Sequence, residues 1–272
     1  MKTQKSFLIA VIGLVFFGFV ATISLAQQPA DDLAAPDVGA AAKLVVTSVS
    51  GPATAILNKS ISVAFTVKNQ GDAASGAYNV GLYLSANKTI NPATDRLLKN
   101  MTFAAGLAAG ESKHTTTKVL VPISGLSGKY YYGAVTASNS KASSKQVSIV
   151  RYIADNTDTV TDYRTGLMWQ KTDDGQQRNW ADAKQYCGDL VLGGYDDWRL
   201  PRIDELETIV DYSRVDPAID PLFVCRSLDY WSGSPLGNYT DYAWSVHFYF
   251  GYSSCSCNPS NYYVRCVRGG PW

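Results

Sequence analysis

Between Lys43 and Val135 the chain keeps switching between short β-branched or aromatic runs and breaks of Gly, Asn, Pro or Ser. Leu44-Val45-Val46, Ile61 to Val67, Val80 to Leu84, Lys118 to Val121 and Tyr130 to Val135 are such runs. Runs of this length between turn residues are expected of strands in an antiparallel sandwich. None of the five cysteines falls in this half: Cys187, Cys225, Cys255, Cys257 and Cys266 all come later. The sandwich must therefore be stable through its core alone, without cross-links.

Before it, Lys2 and Lys5 precede an apolar run from Phe7 to Leu25 that ends in Ser24-Leu25-Ala26. A basic start, an apolar centre and small residues at the end are the layout of a secretory signal, here residues 1–26. The run is also long enough for an uncleaved anchor. After cleavage no membrane insertion is expected. Residues 27–42, rich in Ala, Pro and Asp, read as a flexible linker. The roughly 245 residues left after the signal suggest two domains, placed at 43–148 and 149–272. A net charge of +1 gives no electrostatic reason to bind nucleic acid.

The second half has a different texture. Val160-Thr161-Asp162 and Gly166 to Trp169 read as two strands around a turn. Asn179 suits the N-cap of a helix from Trp180 to about Leu190, with Asp182 completing a capping-box-like start. Pro201 suits the first turn of a second helix reaching about Tyr212, with Ile203, Leu206, Ile209 and Val210 as its apolar face. Beyond Asp216-Pro217 the expectation is loop and strand, a long irregular region closed by Tyr263 to Val267. This order predicts an α+β fold.

Two resemblances sharpen these readings. The stretch LVVTSVSGPATAILNKSISVAFTVKNQGDAASGAYNVGLYLS, followed by LAAGES and YYYGAV, resembles the cell-adhesion-related bacterial domain CARDB over residues 43–148. The resemblance implies an immunoglobulin-like spacer or display module. TDTVTDYRTGLMWQK, GGYDDWRLP with the following EL, DYWSGSP, YAWSVHF and YVRCVRGG together resemble the C-terminal domain of the Legionella collagen-like adhesin, the Lcl C-terminal family, over about 151–270. That family is similar to C-type-lectin-like folds and so to relatives of formylglycine-generating enzymes. The resemblance implies a compact scaffold whose late region forms the binding face. It also implies a disulfide between Cys187 and Cys266.

Trp169, Trp180, Trp198, Trp231 and Trp244 are expected as core anchors, because large aromatics dominate burial in small domains. Arg199, Arg265 and Arg268 are expected to pair with Asp196, Asp197 or Glu205. From Asn238 to Tyr263 the chain is dominated by Tyr, Ser, Asn, Phe and Cys and holds no Lys, Glu, Gln or Met. Tyr and Ser are what binding loops favour: Tyr gives contact area at low entropic cost, and Ser adapts its hydrogen bonds. The candidate ligand-binding residues are Tyr249, Phe250, Tyr252, Ser253, Ser254, Ser256, Asn258, Ser260, Asn261 and Tyr262. Trp231, Trp244, Gly251, Val264 and Cys266 are their expected frame. Proteins of this fold can be targets of diversity-generating retroelements, which randomise template adenines, chiefly in Asn codons of the form AAY. Every candidate residue, with Cys255 and Cys257, lies in the set such codons can reach; an ordinary polar loop of biased composition is the other reading.

Catalysis is not expected. His114 and His247 are the only histidines and neither has a plausible nucleophile near it in sequence. Cys255-Ser256-Cys257 fits neither a zinc knuckle nor a redox motif. Asp155, Asn156, Asp158 and Asp162 depart from the EF-hand spacing and read as a turn. No metal or cofactor is expected. The expected function is an exported, non-catalytic protein that binds an extracellular protein or glycan through its late region. An adhesin for glycans or matrix proteins and a degenerate formylglycine-generating-type enzyme are the alternatives.

Overall fold

A computed structural model describes residues 41–123, 126, 128–155, 158–257 and 260–269. The expected signal, the linker up to residue 40, and Asn156 and Asn258 lie outside the described residues.

The first half is an immunoglobulin-like sandwich. Its strands are β1 (Leu44–Ser50), β2 (Thr54–Ile56), β3 (Ser60–Asn69), β4 (Tyr78–Ser85), β5 (Arg96–Phe103), β6 (Ser112–Leu120), β7 (Gly128–Val135), β8 (Ser140–Ala142) and β9 (Val147–Val150). One sheet runs β1-β3-β6; the other runs β2-β9-β7-β4-β5, with β8 added to β7. Neighbours are antiparallel except β2 and β9. Val63, Phe65 and Val67 of β3 point into the core opposite Val80, Leu82 and Leu84 of β4, all fully or almost fully buried. Period-2 alternation is what lets one face of each strand do this. The sequence reading missed β5. It is an edge strand whose Arg96 and Lys99 and few β-branched residues bury little, so its pattern carries no apolar alternation.

The second half is a small α+β region built from β10 (Tyr152–Ala154), β11 (Thr159–Asp162), β12 (Leu167–Gln170), α1 (Trp180–Gly188), α2 (Ile203–Thr208), β13 (Asp229–Leu236), β14 (Tyr239–His247), β15 (Tyr252–Cys257) and β16 (Val267–Arg268). A four-stranded sheet runs β10-β11-β12-β16, and a three-stranded sheet runs β13-β14-β15. Helix α1 starts as expected. The Asp182 N–H donates to Asn179 Oδ1 at 2.9 Å, and the Asn179 amide returns a bond to the Asp182 carboxylate at 2.8 Å.

Helix α2 is shorter than expected. Pro201 lies before the helix and not in its first turn; Arg202 is the N-cap, and Glu205 accepts the Arg202 N–H at 2.9 Å. It ends at Thr208 because the chain is drawn off elsewhere: Asp211 N–H donates to the Ala218 carbonyl at 2.9 Å, and Val210 bridges to Ile219. Ile209 and Val210 remain buried, so the apolar pattern was read correctly while the backbone was not. A larger difference concerns the late region. Within the segment expected to be irregular, Tyr239 to Cys257 form the regular hairpin β14–β15, in unbroken register from His247↔Tyr252 to Tyr242↔Cys257.

Cys187 of α1 is bonded to Cys266, just before β16, across 79 residues of sequence. Both are wholly buried with Trp198, Trp231, Ala243 and Val264. Gln170 braces this junction: its side chain takes the Cys266 N–H at 3.1 Å and donates to the Tyr186 hydroxyl at 3.0 Å. Arg199 forms a two-bond pair with Glu205 at 2.7 Å each. Burial pushes the Glu205 carboxyl up, but the Arg199 guanidinium and the Arg202 N–H outweigh it and hold it below the ordinary range. Arg268 pairs with Asp197 nearer the surface. Arg265 departs from expectation. It is fully buried, and its guanidinium donates mainly to the main-chain carbonyls of Gln170, Lys171 and Val224, at 2.6 to 2.7 Å.

Closing a loop of this length with one cross-link stabilises a fold by about 4 kcal/mol through the unfolded chain. Replacing Cys187 and Cys266 by Ser should lower the unfolding free energy of the tryptophan-rich half, read by indole fluorescence in a denaturant titration, by that order. A change under about 1 kcal/mol would show that the bridge is not a stabilising element.

Candidate functional site

The turn between β14 and β15, Phe248 to Gly251, is pinned from several sides. The Gly251 N–H donates to the His247 carbonyl at 2.9 Å. Phe248 is fully buried; its N–H reaches the Leu228 carbonyl at 3.0 Å and its carbonyl takes the Ala218 N–H at 2.6 Å. The Tyr249 carbonyl takes the Asp216 N–H at 3.0 Å. Gly251 has a φ of +79°, and a Cβ there would lie 2.4 Å from Val210 Cγ1. Only glycine suits both the dihedral and the space.

On this fixed backbone the side chains on either side of Gly251 project outward. Phe250 is 63% exposed and Tyr252 51%. The Tyr249 and Phe250 rings meet edge to face at 4.5 Å, and Tyr252 stacks on the His247 ring at 5.1 Å. Tyr212, 74% exposed, lies close by, its ring 3.7 Å from where a Gly251 Cβ would be. Sequence reading missed Tyr212, because it had been placed at the end of a helix; its only signal was an exposed aromatic after an apolar face. At the far end of the hairpin Tyr239 and Tyr242 form a second exposed aromatic pair, with rings 6.2 Å apart.

The serines are less free than their composition suggested. The Ser254 and Ser245 hydroxyls meet at 2.9 Å, Ser253 donates to Glu207 of α2, and Ser256 meets the Tyr262 hydroxyl at 2.6 Å. Tyr262 itself is fastened: its ring lies 4.5 Å from that of Trp231, and its main chain exchanges both bonds with Arg178. Ser260 is half-buried and Asn261 exposed. Among the expected frame residues, Trp231, Gly251, Val264 and Cys266 are buried, but Trp244 is only half-buried, lying opposite the exposed Cys255. Trp169 and Trp198 are core residues; Trp180 is half-buried, with its indole N–H on the Ser232 carbonyl at 2.7 Å. The thiols of Cys225 and Cys255 are unbridged, and burial pushes the Cys225 thiol up.

His247 Nδ1 accepts the Tyr249 N–H at 3.3 Å and Nε2 faces Asp229 at 3.9 Å, which makes the ring a brace for the turn. Burial pushes the Asp229 carboxyl up, partly countered by His247. His114 meets the Thr66 hydroxyl in the sandwich at 3.1 Å. Asp162 is taken up by Arg151 and Thr165, and Thr161 donates to Asp155. Among the described residues no group of three His, Cys, Asp or Glu side chains is arranged to hold a metal. A cleft of roughly 800 Å³, lined by Leu57, Leu126 and Ile149 and by Tyr152, Ile209 and Tyr212, reaches the neighbourhood of the turn through Tyr212. It contains none of the residues singled out from the sequence as ligand-binding.

Residues 41–145 match the family model described as CARDB, and residues 158–268 match that of the Lcl C-terminal domain. The chain thus carries these two domains in that order. No curated protein matches it. Among solved structures it is similar to the CARDB domain of a Pyrococcus furiosus protein crystallised in complex with di-metal ions, at 23% identity, covering 40% of this chain and 94% of that one, with a TM-score of 0.30. A solution structure of that domain gives 23% identity, 40% and 95% coverage and a TM-score of 0.28. A β-glucosidase from Listeria innocua in complex with gluconolactone is 20% identical over 42% of this chain and 17% of the enzyme, with a TM-score of 0.29.

Gly251→Ala should destabilise the protein by about 2 kcal/mol or more, since it meets both a disfavoured dihedral and the buried Val210 side chain. Gly237→Ala, at φ +55° with open space around it, is the control and should cost less. Equal losses in urea titrations of the two variants would contradict the tight fit at Gly251.

Proposed function

We propose that this protein is a non-catalytic, surface-displayed binding protein in which the CARDB sandwich presents a C-type-lectin-like domain, and that the β14–β15 turn receives an extracellular protein or glycan. The two domain types are adhesion-related and non-enzymatic, and fit an adhesin-like protein at the cell surface or outside the cell. No helix among the described residues is long and apolar enough to cross a membrane. Residues 1–26 serve in this reading as the export signal and 27–42 as the linker.

The observation that carries the reading is the exposure of Tyr212, Tyr249, Phe250 and Tyr252 around a turn whose main chain is already tied down. Exposed rings held by a rigid scaffold lose little freedom on binding, and a contiguous aromatic patch is costly to leave in water without a partner. The same rings suit either the apolar face of a sugar or a protein side chain. The Ser253, Ser254 and Ser256 hydroxyls are already engaged by Glu207, Ser245 and Tyr262, so the rings carry the contact in this reading, with Ser260 and Asn261 as further candidates and Asn258 a candidate by its sequence position.

Phe250→Ala and Tyr252→Ala should each weaken binding to an immobilised glycan or matrix protein found by panel screening, by about tenfold or more, with no change in the unfolding midpoint. Retained affinity in both variants would refute the turn as the contact.

We also propose that this face is diversified. Related copies of the gene from one population should differ at Tyr249, Phe250, Tyr252 and Ser253, while Tyr262, packed on Trp231, varies least. Identity across copies, with no reverse transcriptase and no AAY-rich near-repeat beside the gene, would refute diversification and leave a single fixed ligand.

A further inference from the structure

The direction in which each residue of the β13–β14–β15 sheet points its main chain follows from the bonds at its far side. Tyr263 N–H donates to the Asp229 carbonyl and Trp231 N–H to the Tyr263 carbonyl, both at 3.0 Å, so Asp229 and Trp231 face away from β14. Tyr230 between them therefore faces β14, opposite Val246. Alternation along β14 then turns Ser245 and His247 toward β15, where their partners are Ser254 and Tyr252. The Ser245 hydroxyl, 3.4 Å from the Ser254 carbonyl, agrees. The main-chain N–H and C=O of Ser253 and Cys255 consequently point out of the open side of the sheet. Among the described residues no main-chain or side-chain group bonds them.

Open strand edges invite pairing with another chain, and proteins blunt them with lysines, prolines, bulges or short lengths. Among the described residues several other edges are blunted in these ways, and β1 carries a bulge between Val46 and Ser48. Edge strand β5 carries Arg96 and Lys99, β6 carries Lys113 and Lys118, and β10 is three residues long. Strand β15 has none of these features. It is six residues long, keeps unbroken register with β14, and lies in a stretch, Phe248 to Val264, without a single charged side chain.

We propose that β15 is a dimerisation edge, on which a second copy of this chain adds its own β15 antiparallel to form a continuous six-stranded sheet across a two-fold axis. The neutrality of the strand favours a second copy over another peptide. A two-fold axis sets the uncharged Ser and Cys side chains of one strand against those of the other, while the nearest charge, the Glu207 carboxylate that accepts the Ser253 hydroxyl toward one end of the strand, would repel an acidic peptide. Antiparallel pairing also sends the two Tyr249 to Tyr252 turns to opposite ends of the seam, where both stay open. Two recognition turns on one rigid sheet would engage repeated ligands with avidity.

The test is sedimentation of the full chain under reducing conditions across a range of concentrations. The wild type and Cys255→Ser should be dimers. Cys255→Lys, which places a charge at the seam, and Cys255→Pro, which deletes an outward N–H without touching the β14 ladder, should raise the dimer dissociation constant by more than about tenfold. Their circular dichroism and unfolding midpoints should stay near wild type. Should proline disturb the strand, the lysine variant still reports on the edge. A wild type that remains monomeric at about 0.1 mM, a dimer indifferent to Cys255→Lys, or a dimer lost in Cys255→Ser would each overturn the proposal. Phe250→Ala serves as the separate control: it should leave the dimer intact, so a failure of the ligand-binding reading is not mistaken for a failure of this one.

Discussion

Taking a guanidinium out of water costs several kcal/mol unless its hydrogen bonds and charge are met inside the protein. Arg265 is fully buried, and it meets that cost with three main-chain carbonyls from two separate stretches, Gln170 and Lys171 after β12 and Val224 from the loop before β13. Asp173, 3.9 Å away, supplies a counter-charge and also accepts the Tyr230 hydroxyl. The rings of Phe223 and Tyr230 lie against the guanidinium, and its Nε has no partner among the described groups. A strand end, a loop and the strand β13 are thereby tied to the residue next to Cys266. The late part of the chain has few helices to order it, and this one cation gives its loops a common anchor.

From that anchor the order passes outward to the candidate recognition turn. Tyr230 sits under Phe248, ring to ring at 5.3 Å, and Phe248 with Gly251 fixes the turn against Ala218 and Val210. What emerges is a rigid base with mobile chemistry only at the side-chain tips. On such a base the exposed rings offer contact area at little entropic cost. The imidazole of His247 is spent on bracing the turn and stacking with Tyr252.

Much of this was legible from residue order. The β-branched runs of the sandwich became strands, Asn179 became a helix cap, and the Cys187–Cys266 bridge followed from family resemblance. Other features were hidden for physical reasons. Edge strand β5 buries too little to need an apolar pattern. Helix α2 stops because Asp211 finds a partner in Ala218, a contact that helix periodicity cannot foresee. Tyr and Ser serve binding loops and exposed strands equally well, so composition alone drew as irregular a segment that is largely a regular hairpin.

Sequence by itself determined the two-part organisation, the absence of cross-links from the first half and the aromatic, serine-rich composition of the late region, because composition and period act locally. Only the tertiary structure decided which residues of that region are free. Tyr262 and Ser256 are consumed by packing and hydrogen bonding, whereas Phe250 and Tyr252 are presented to solvent. On a strand, alternation assigns a face, but which face meets the core depends on register and on what packs across it. Here both were set by distant partners, Arg178 against Tyr262 and Val210 against Gly251, which no local pattern records.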